Sequence, residues 1–292
     1  MELELKRGGR TARVETLGGE LVSYRDERGL EYIWGGDPAY WPGRNPLLFP
    51  IVGTLKEGKI RFDGREYAME RHGFARRREF TPAARGEDWV RLELRESAET
   101  LALYPYPFRL AVEQRLTDTG FSTAVTVANP GEGPLPFCLG AHTGFRCPLE
   151  AGERFEDYEL VFPERESCPT LLLRDGLLDR PAALPCLEDT DTLPLDYRWF
   201  DALDTLIFEG LRSRFVTLRS RKSGRGVRVS FDGFPMLAFW TMPGKKAPYL
   251  CIEPWHGCSA GTGEGEEFTN KAHCIVLAPG ESRTLAYRAD TL

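Results

Sequence analysis

Lys59-Ile60-Arg61-Phe62-Asp63-Gly64-Arg65-Glu66-Tyr67 is the stretch that decides how this 292-residue chain is read. Two short runs of alternating apolar and charged residues flank Asp-Gly, a dipeptide that tolerates the positive φ of a two-residue hairpin turn. A period of two is that of a pleated strand, whose successive side chains face opposite sides of a sheet. The same period recurs outward from this hairpin, in Thr11–Thr16, Val90–Arg95, Leu110–Leu116, Phe121–Val127, Phe215–Arg219 and Val227–Phe231. Turn formers separate the runs: Gly18-Gly19, Gly35-Gly36-Asp37-Pro38, Asn129-Pro130-Gly131 and Asp232-Gly233. Met1–Arg7 also alternates and reads as an edge or surface strand. Helical patterning is scarce. Ser97–Leu103 begins on an N-capping serine and stops before Pro105, and Leu195–Leu203 is the second short candidate. No repeat, low-complexity segment or linker divides the chain. The expectation is one all-β domain over residues 1–292, with two large sheets stacked face to face and few short helices.

Composition narrows the classes of function. The net charge of −6, from 38 basic and 44 acidic residues, speaks against a nucleic-acid-binding surface. No apolar run approaches the ~20 residues that span a bilayer, and the N-terminus lacks the apolar stretch of a signal peptide. The seven cysteines are odd in number and form no C-x-x-C pair, which leaves a zinc or thioredoxin-type site little support. Cys138 and Cys251 sit inside apolar runs and read as reduced packing residues. A cytoplasmic protein with no membrane or nucleic-acid partner is the expectation. No H-E-x-x-H helix and no G-x-x-x-x-G-K-[ST] loop is present, and the Gly-rich Gly257–Gly265 reads as a loop.

Four segments depart from ordinary strand-and-turn sequence: Arg44–Gly53, Arg71–Arg76, Leu139–Phe145 and Cys251–Gly257. Three of the four histidines fall in them. His72 lies between Arg71 and Gly73, and the alternatives are a surface loop histidine or a ligand contact. His142 ends an apolar run among small residues that let another group approach its ring; a structural strand histidine is the alternative. Glu253 follows the apolar Tyr249–Ile252 and precedes Pro254-Trp255. A carboxylate at the end of an apolar strand is costly unless paired or used. It is therefore either half of a buried salt bridge or a general base whose pKa burial has raised. Trp240, Trp255, Phe74 and Phe145 are core rings or, beside a His and a Glu, walls that suit the C–H faces of a sugar. Lys245-Lys246 reads as a solvated turn, or as a contact for an anionic ligand if it borders the cleft.

These residues carry a family resemblance. Asn45-Pro46-Leu47-Leu48-Phe49-Pro50, His72-Gly73-Phe74-Ala75-Arg76, Gly140-Ala141-His142 and Ile252-Glu253-Pro254-Trp255 resemble, in that order, motifs of the aldose 1-epimerase (mutarotase) superfamily and its LacX-like branch. They span about residues 2–288. The resemblance implies a galactose mutarotase-like β-sandwich (supersandwich) with a wide cleft, and neither cofactor nor metal requirement. It implies His142 as general acid at the ring oxygen and Glu253 as general base on the anomeric hydroxyl. His72, Arg76, Asp204 and Trp255 are implied on the sugar-binding side, Asp204 by the loosest match. One departure stands out. Mutarotases proper carry Asn-Arg in the N-terminal motif, and this chain has Asn45-Pro46, so the arginine supplied there is missing.

The function expected is interconversion of the α and β anomers of an aldose. A base takes the O1 proton while an acid protonates O5, and each positioned transfer is worth ~10²–10⁴-fold. A hexose-phosphate 1-epimerase and a non-catalytic carbohydrate-binding or sensing protein are the alternatives. The partner expected is a small sugar or sugar phosphate, with the chain a monomer or homodimer. His72, His142, Asp204 and Glu253 are expected to line one concave cleft, with His142 and Glu253 facing each other across a gap that fits a pyranose.

Overall fold

The hairpin forms where Asp63-Gly64 places it. Lys59–Phe62 pairs antiparallel with Arg65–Ala68, and Asp63 and Gly64 take φ of 51° and 74°, positive at both central positions as a type I′ turn requires. The computed structural model describes residues 1–292. Its helices are the short Ala98–Leu101, capped by Ser97 through a capping box, and Tyr197–Leu203, besides single 3-10 turns. The remainder is strand and loop. Glu2–Arg7 is the edge of a three-stranded sheet with Arg10–Glu15 and Glu20–Arg25. It buries Leu3 and Leu5 and leaves Glu2, Glu4 and Lys6 exposed, the charged alternation that discourages further pairing at an edge.

Fifteen strands form one larger antiparallel ladder. Val90, Leu92, Leu110, Val112, Phe121, Val125, Val216, Leu218, Val227 and Val229 turn their side chains into a 72-residue apolar core, the alternate positions the sequence period selects. The strand Tyr158–Arg174 joins the two parts of the ladder. Its first residues pair with Thr217–Ser220 and its Leu171 pairs with Ile207. Together with Leu177–Pro194 it makes a hairpin of 17- and 18-residue strands that the period does not announce. Pro163, Pro169, Pro181 and Pro185 interrupt both runs, and the register shifts four times along the pair. Proline withholds a ladder N–H and is accommodated at such irregularities. No helix is long and apolar enough to cross a membrane.

The strand Tyr249–His256 carries the Glu-Pro-Trp motif through the middle of the second part. Met236–Trp240 pairs on one side, and Leu139–Ala141 followed by Thr143–Arg146 on the other. Phe49, Phe74, Tyr104, Phe108 and Phe137 form an aromatic cluster beneath, with ring centroids 5.4–6.3 Å apart. Phe74 and Phe145 are therefore core rings.

Candidate functional site

Strand register brings the acid and base together. Leu139 pairs with His256, Gly140 with Trp255, and Thr143 with Ile252. The register is identical on both sides of the break, which sets His142 directly across from Glu253. Pro254 offers no N–H at this point of the ladder. Cross-strand partners in an antiparallel pair project from the same face. His142 Nδ1 lies 3.4 Å from Glu253 Oε1. Gly140 and Gly144 flank His142 on that face, and each is bare for a reason. A Cβ on Gly140 would stand 2.9 Å from Trp255 Cδ1, and one on Gly144 would stand 3.0 Å from Trp41 Cζ3. Ala238, opposite Glu253 on the other neighbouring strand, keeps the floor equally low.

The expected pyranose-wide gap between His142 and Glu253 is not there, because the two groups adjoin.

His72 approaches from a loop. Its φ is 67°, a left-handed conformation that costs a residue with a Cβ ~1–2 kcal/mol. The following Gly73 also has positive φ, and a Cβ there would lie 2.2 Å from the Phe49 carbonyl oxygen. Backbone bonds lock this turn. His72 N–H donates to the Gly53 carbonyl at 2.9 Å, and Gly53 N–H donates to His72 Nδ1 at 3.1 Å. The ring stands edge-on to His142 with centroids 5.7 Å apart.

Arg71 Nε also lies 3.1 Å from His72 Nε2, placed as a second donor. A neutral imidazole has one acceptor nitrogen, so one of these donors is misplaced. The Gly53 amide is fixed by reciprocal backbone bonding, whereas the Arg71 side chain is exposed. The ring is therefore the Nε2–H tautomer, and Arg71 is the group free to leave. Arg76 is half-buried, donates from Nη2 to the Arg71 carbonyl at 2.9 Å, and has an unpartnered Nε. It braces the backbone that carries Arg71 and His72.

Asp204 caps the helix Tyr197–Leu203 with φ 63° and accepts from Thr205 Oγ1 at 2.8 Å. It lies close enough for its charge to act on Glu253. Trp255 is buried beside Glu253 with an unpartnered indole N–H. His72, His142, Glu253 and Trp255 thus lie close together, Arg76 braces the His72 segment, and Asp204 comes only within electrostatic reach of Glu253. Lys245 and Lys246 are on an exposed turn.

Electrostatics follow from dryness. Glu253 is 1 % exposed and His142 7 %. Burial pushes the Glu253 carboxyl well above its ordinary 4.5; Arg71 and the adjoining Trp255 indole, near but outside good hydrogen-bond geometry, oppose this, and Asp204 adds to it. Burial, reinforced by Arg71 and Arg76, lowers His142 to about 3. Burial and the neighbouring His142, Arg71 and Arg76 hold His72 well below 6.5. Both histidines are neutral at pH 7, and His142 Nδ1 and Glu253 Oε2 have no hydrogen-bond partner.

Trp41 supplies the cover. Its ring stacks on His142 with centroids 4.8 Å apart and planes 25° from parallel, and it meets Trp240 edge-on at 5.5 Å. The Trp34 indole donates to the Trp41 carbonyl at 2.9 Å and fixes the backbone. The side chain covers the His142 ring and, with it, the floor. Trp41 and Arg71 are the site residues the sequence reading missed. Arg71 had a signal, its place beside His72; Trp41 had only its place in a Gly/Pro-rich loop. Gly257-Cys258-Ser259-Ala260-Gly261 also has nucleophile-elbow spacing. Its Ser259 Oγ instead accepts from the Thr54 N–H at 3.0 Å and packs against Gly53, so this serine fastens the loop that holds His72.

The aldose 1-epimerase family model matches residues 1–289. Plasmid and chromosomal forms of protein LacX from Lactococcus lactis subsp. lactis are 40% identical over 295 residues, covering 98% of each chain. A galactose mutarotase related enzyme from Lactobacillus acidophilus superposes with a TM-score of 0.95 at 26% identity, over 100% of this chain and 97% of that one. A galactose mutarotase-like protein from Lactobacillus casei ATCC 334 gives 0.91 at 28% identity over 100% of both chains.

Proposed function

Because the chain belongs to the aldose 1-epimerase family, whose members act on small sugars, we propose that it catalyses anomer exchange with His142 and Glu253 as its acid–base pair. The observation that carries this reading is the pair itself, set directly opposite in register and 3.4 Å apart on a buried, aromatic-walled floor.

Ring opening needs one proton on the pair. With Glu253 ionised and His142 protonated, the carboxylate takes the O1 proton, the imidazolium protonates O5, and the C1–O5 bond breaks. The open aldehyde is then held against a protonated Glu253 and a neutral His142. Burial favours that neutral pair, so the dry floor stabilises the state in which rotation about C1–C2 occurs. Closure on the other face returns both protons. His72 donates its Nε2–H to a sugar oxygen once Arg71 withdraws, and the freed guanidinium reaches a second oxygen. It thereby supplies, from beside His72, the arginine that Pro46 displaces from the N-terminal motif. Trp41 rotates aside and covers the ring. An anionic sugar fits the same cleft, since Arg76 donates to a backbone carbonyl and neither it nor Arg71 meets a carboxylate.

Anomeric exchange measured by NMR across free aldoses and their phosphates, against the spontaneous rate, tests the reading. Glu253→Gln and His142→Asn should each lower kcat ~10²–10⁴-fold with little change in KM. His72→Asn should raise KM as well. A wild-type chain that accelerates none of the sugars, yet binds one, would make it a binding protein.

A further inference from the structure

The geometry points to a second ligand for this floor: a soft divalent cation, zinc above all, held by His142 Nδ1, Cys251 Sγ and a Glu253 oxygen in competition with the sugar. The ligand atoms of these three residues lie within 4.8 Å of one another, and all three residues are buried. Their convergence is built into the sheet. Cys251 and Glu253 are two residues apart on one strand and so share a face. His142 stands opposite Glu253 on that same face. Zinc bonds of ≈ 2.0–2.3 Å to nitrogen, oxygen and sulfur place neighbouring ligands about 3.3–3.8 Å apart in a tetrahedron. The 3.4 Å between Nδ1 and Oε1 already has that value, and the thiol needs to close by about an ångström or less.

One further observation favours a ligand here: His142 Nδ1 and Glu253 Oε2 are buried and unpartnered, and buried polar atoms in that state call for something to satisfy them. A thiolate and a carboxylate together cancel the charge of a dication. The fourth position is left for water. Another grouping of similar composition, His256, His273 and Glu209, carries nothing comparable. There His273 Nε2 already bonds Glu209 at 2.5 Å, Arg180 pairs with the same carboxylate, and His256 Nδ1 faces the His273 carbonyl at 2.8 Å.

A cation so held occupies the acid and the base at once, so the loaded protein exchanges no anomers. That consequence rests on the function proposed above; the binding does not.

The experiment uses the full chain stripped with a chelator, with zinc and cobalt as probes. Equilibrium dialysis should find one zinc per chain. Cys251→Ala, Glu253→Gln and His142→Asn should each weaken it about tenfold or more. Cobalt should give a thiolate charge-transfer band in wild type that Cys251→Ala lacks. Zinc should raise KM for the sugar and leave kcat unchanged. Circular dichroism and Tm identify any variant that fails to fold, and Cys251→Ser then replaces Cys251→Ala. Undiminished zinc affinity in folded Cys251→Ala, absence of the cobalt band in wild type, or inhibition that sugar does not relieve would overturn the proposal. If no sugar is turned over at all, dialysis and the cobalt spectrum still decide the site, which separates failure of the cation proposal from failure of the enzymatic one.

Discussion

Glu253→Gln should make this protein more stable as pH rises, while removing its turnover. Glu253 is 1 % exposed and its pKa is raised well above 4.5 by burial. Above pH 4.5 the unfolded chain carries this carboxyl ionised, whereas the folded chain keeps it protonated until the higher folded value is reached. The unfolded state therefore binds fewer protons. The stability that protonation confers is complete below 4.5 and is lost as pH rises through that window. The slope for one proton is about 1.36 kcal/mol per pH unit. Glutamine is uncharged in both states, nearly the same volume, and free of this term. His142, lowered to about 3, weakens wild type and variant alike on the acid side and cancels in the difference. Between about pH 5 and about pH 6 the variant should therefore gain ~1.4 kcal/mol on wild type. Urea unfolding followed by tryptophan fluorescence and far-UV circular dichroism across a pH series measures it. A difference that does not change with pH would mean that Glu253 is already ionised in the folded protein at pH 5, and the dry-floor reasoning would fall.

Two other residues give separable outcomes. Arg71→Gln should raise KM for the best sugar by about 10–100-fold, the loss of a hydrogen bond from a charged donor worth ~1.5–3 kcal/mol, with kcat within a few fold; an unchanged KM would remove Arg71 from the sugar contacts. Trp41→Ala should uncover His142 and let its pKa climb from about 3 toward 6.5, read by NMR titration of the ring, and turnover should fall about tenfold as the cleft fills with water. A His142 that still titrates near 3 would show that Trp41 is not what keeps it dry.

Much of this was legible before folding. The period of two and the turn dipeptides mark most strands, because an antiparallel sheet with one buried face leaves that alternation in the sequence. Three of the four motifs supply His72, Arg76, His142, Glu253 and Trp255, and the structure sets His72 and Glu253 beside His142; Asp204 lies outside all four. The Tyr158–Pro194 hairpin was hidden, since its prolines and register shifts break the period on which the reading depends. The adjacency of His142 and Glu253 was hidden for a different reason. It depends on a register between segments more than a hundred residues apart, and local pattern does not carry register. Trp41 was hidden because a loop aromatic has no period at all. Asp204 joined through backbone geometry, a φ of 63° at a helix end, which residue type alone suggests only weakly.

Closure accounts for how an acid–base pair of this kind is kept. A carboxyl and an imidazole 3.4 Å apart with unpartnered atoms are a poor choice for stability, and an apolar pair would serve the core better. They persist in a floor where Gly140, Gly144 and Ala238 leave room above them and Trp41 fills it. The cover keeps water away, and exclusion of water drives the pair to its neutral form. That form has the proton count of the open-chain step, one proton shared between base and acid. On the function proposed above, a sugar that displaces Trp41 would bring O1 and O5, the partners that Nδ1 and Oε2 lack, and so would let the pair separate its charges only when there is a bond to break. The tryptophan, the three small residues and the register that opposes His142 to Glu253 therefore act on a single quantity, the free energy of moving one proton between O1, O5 and the floor.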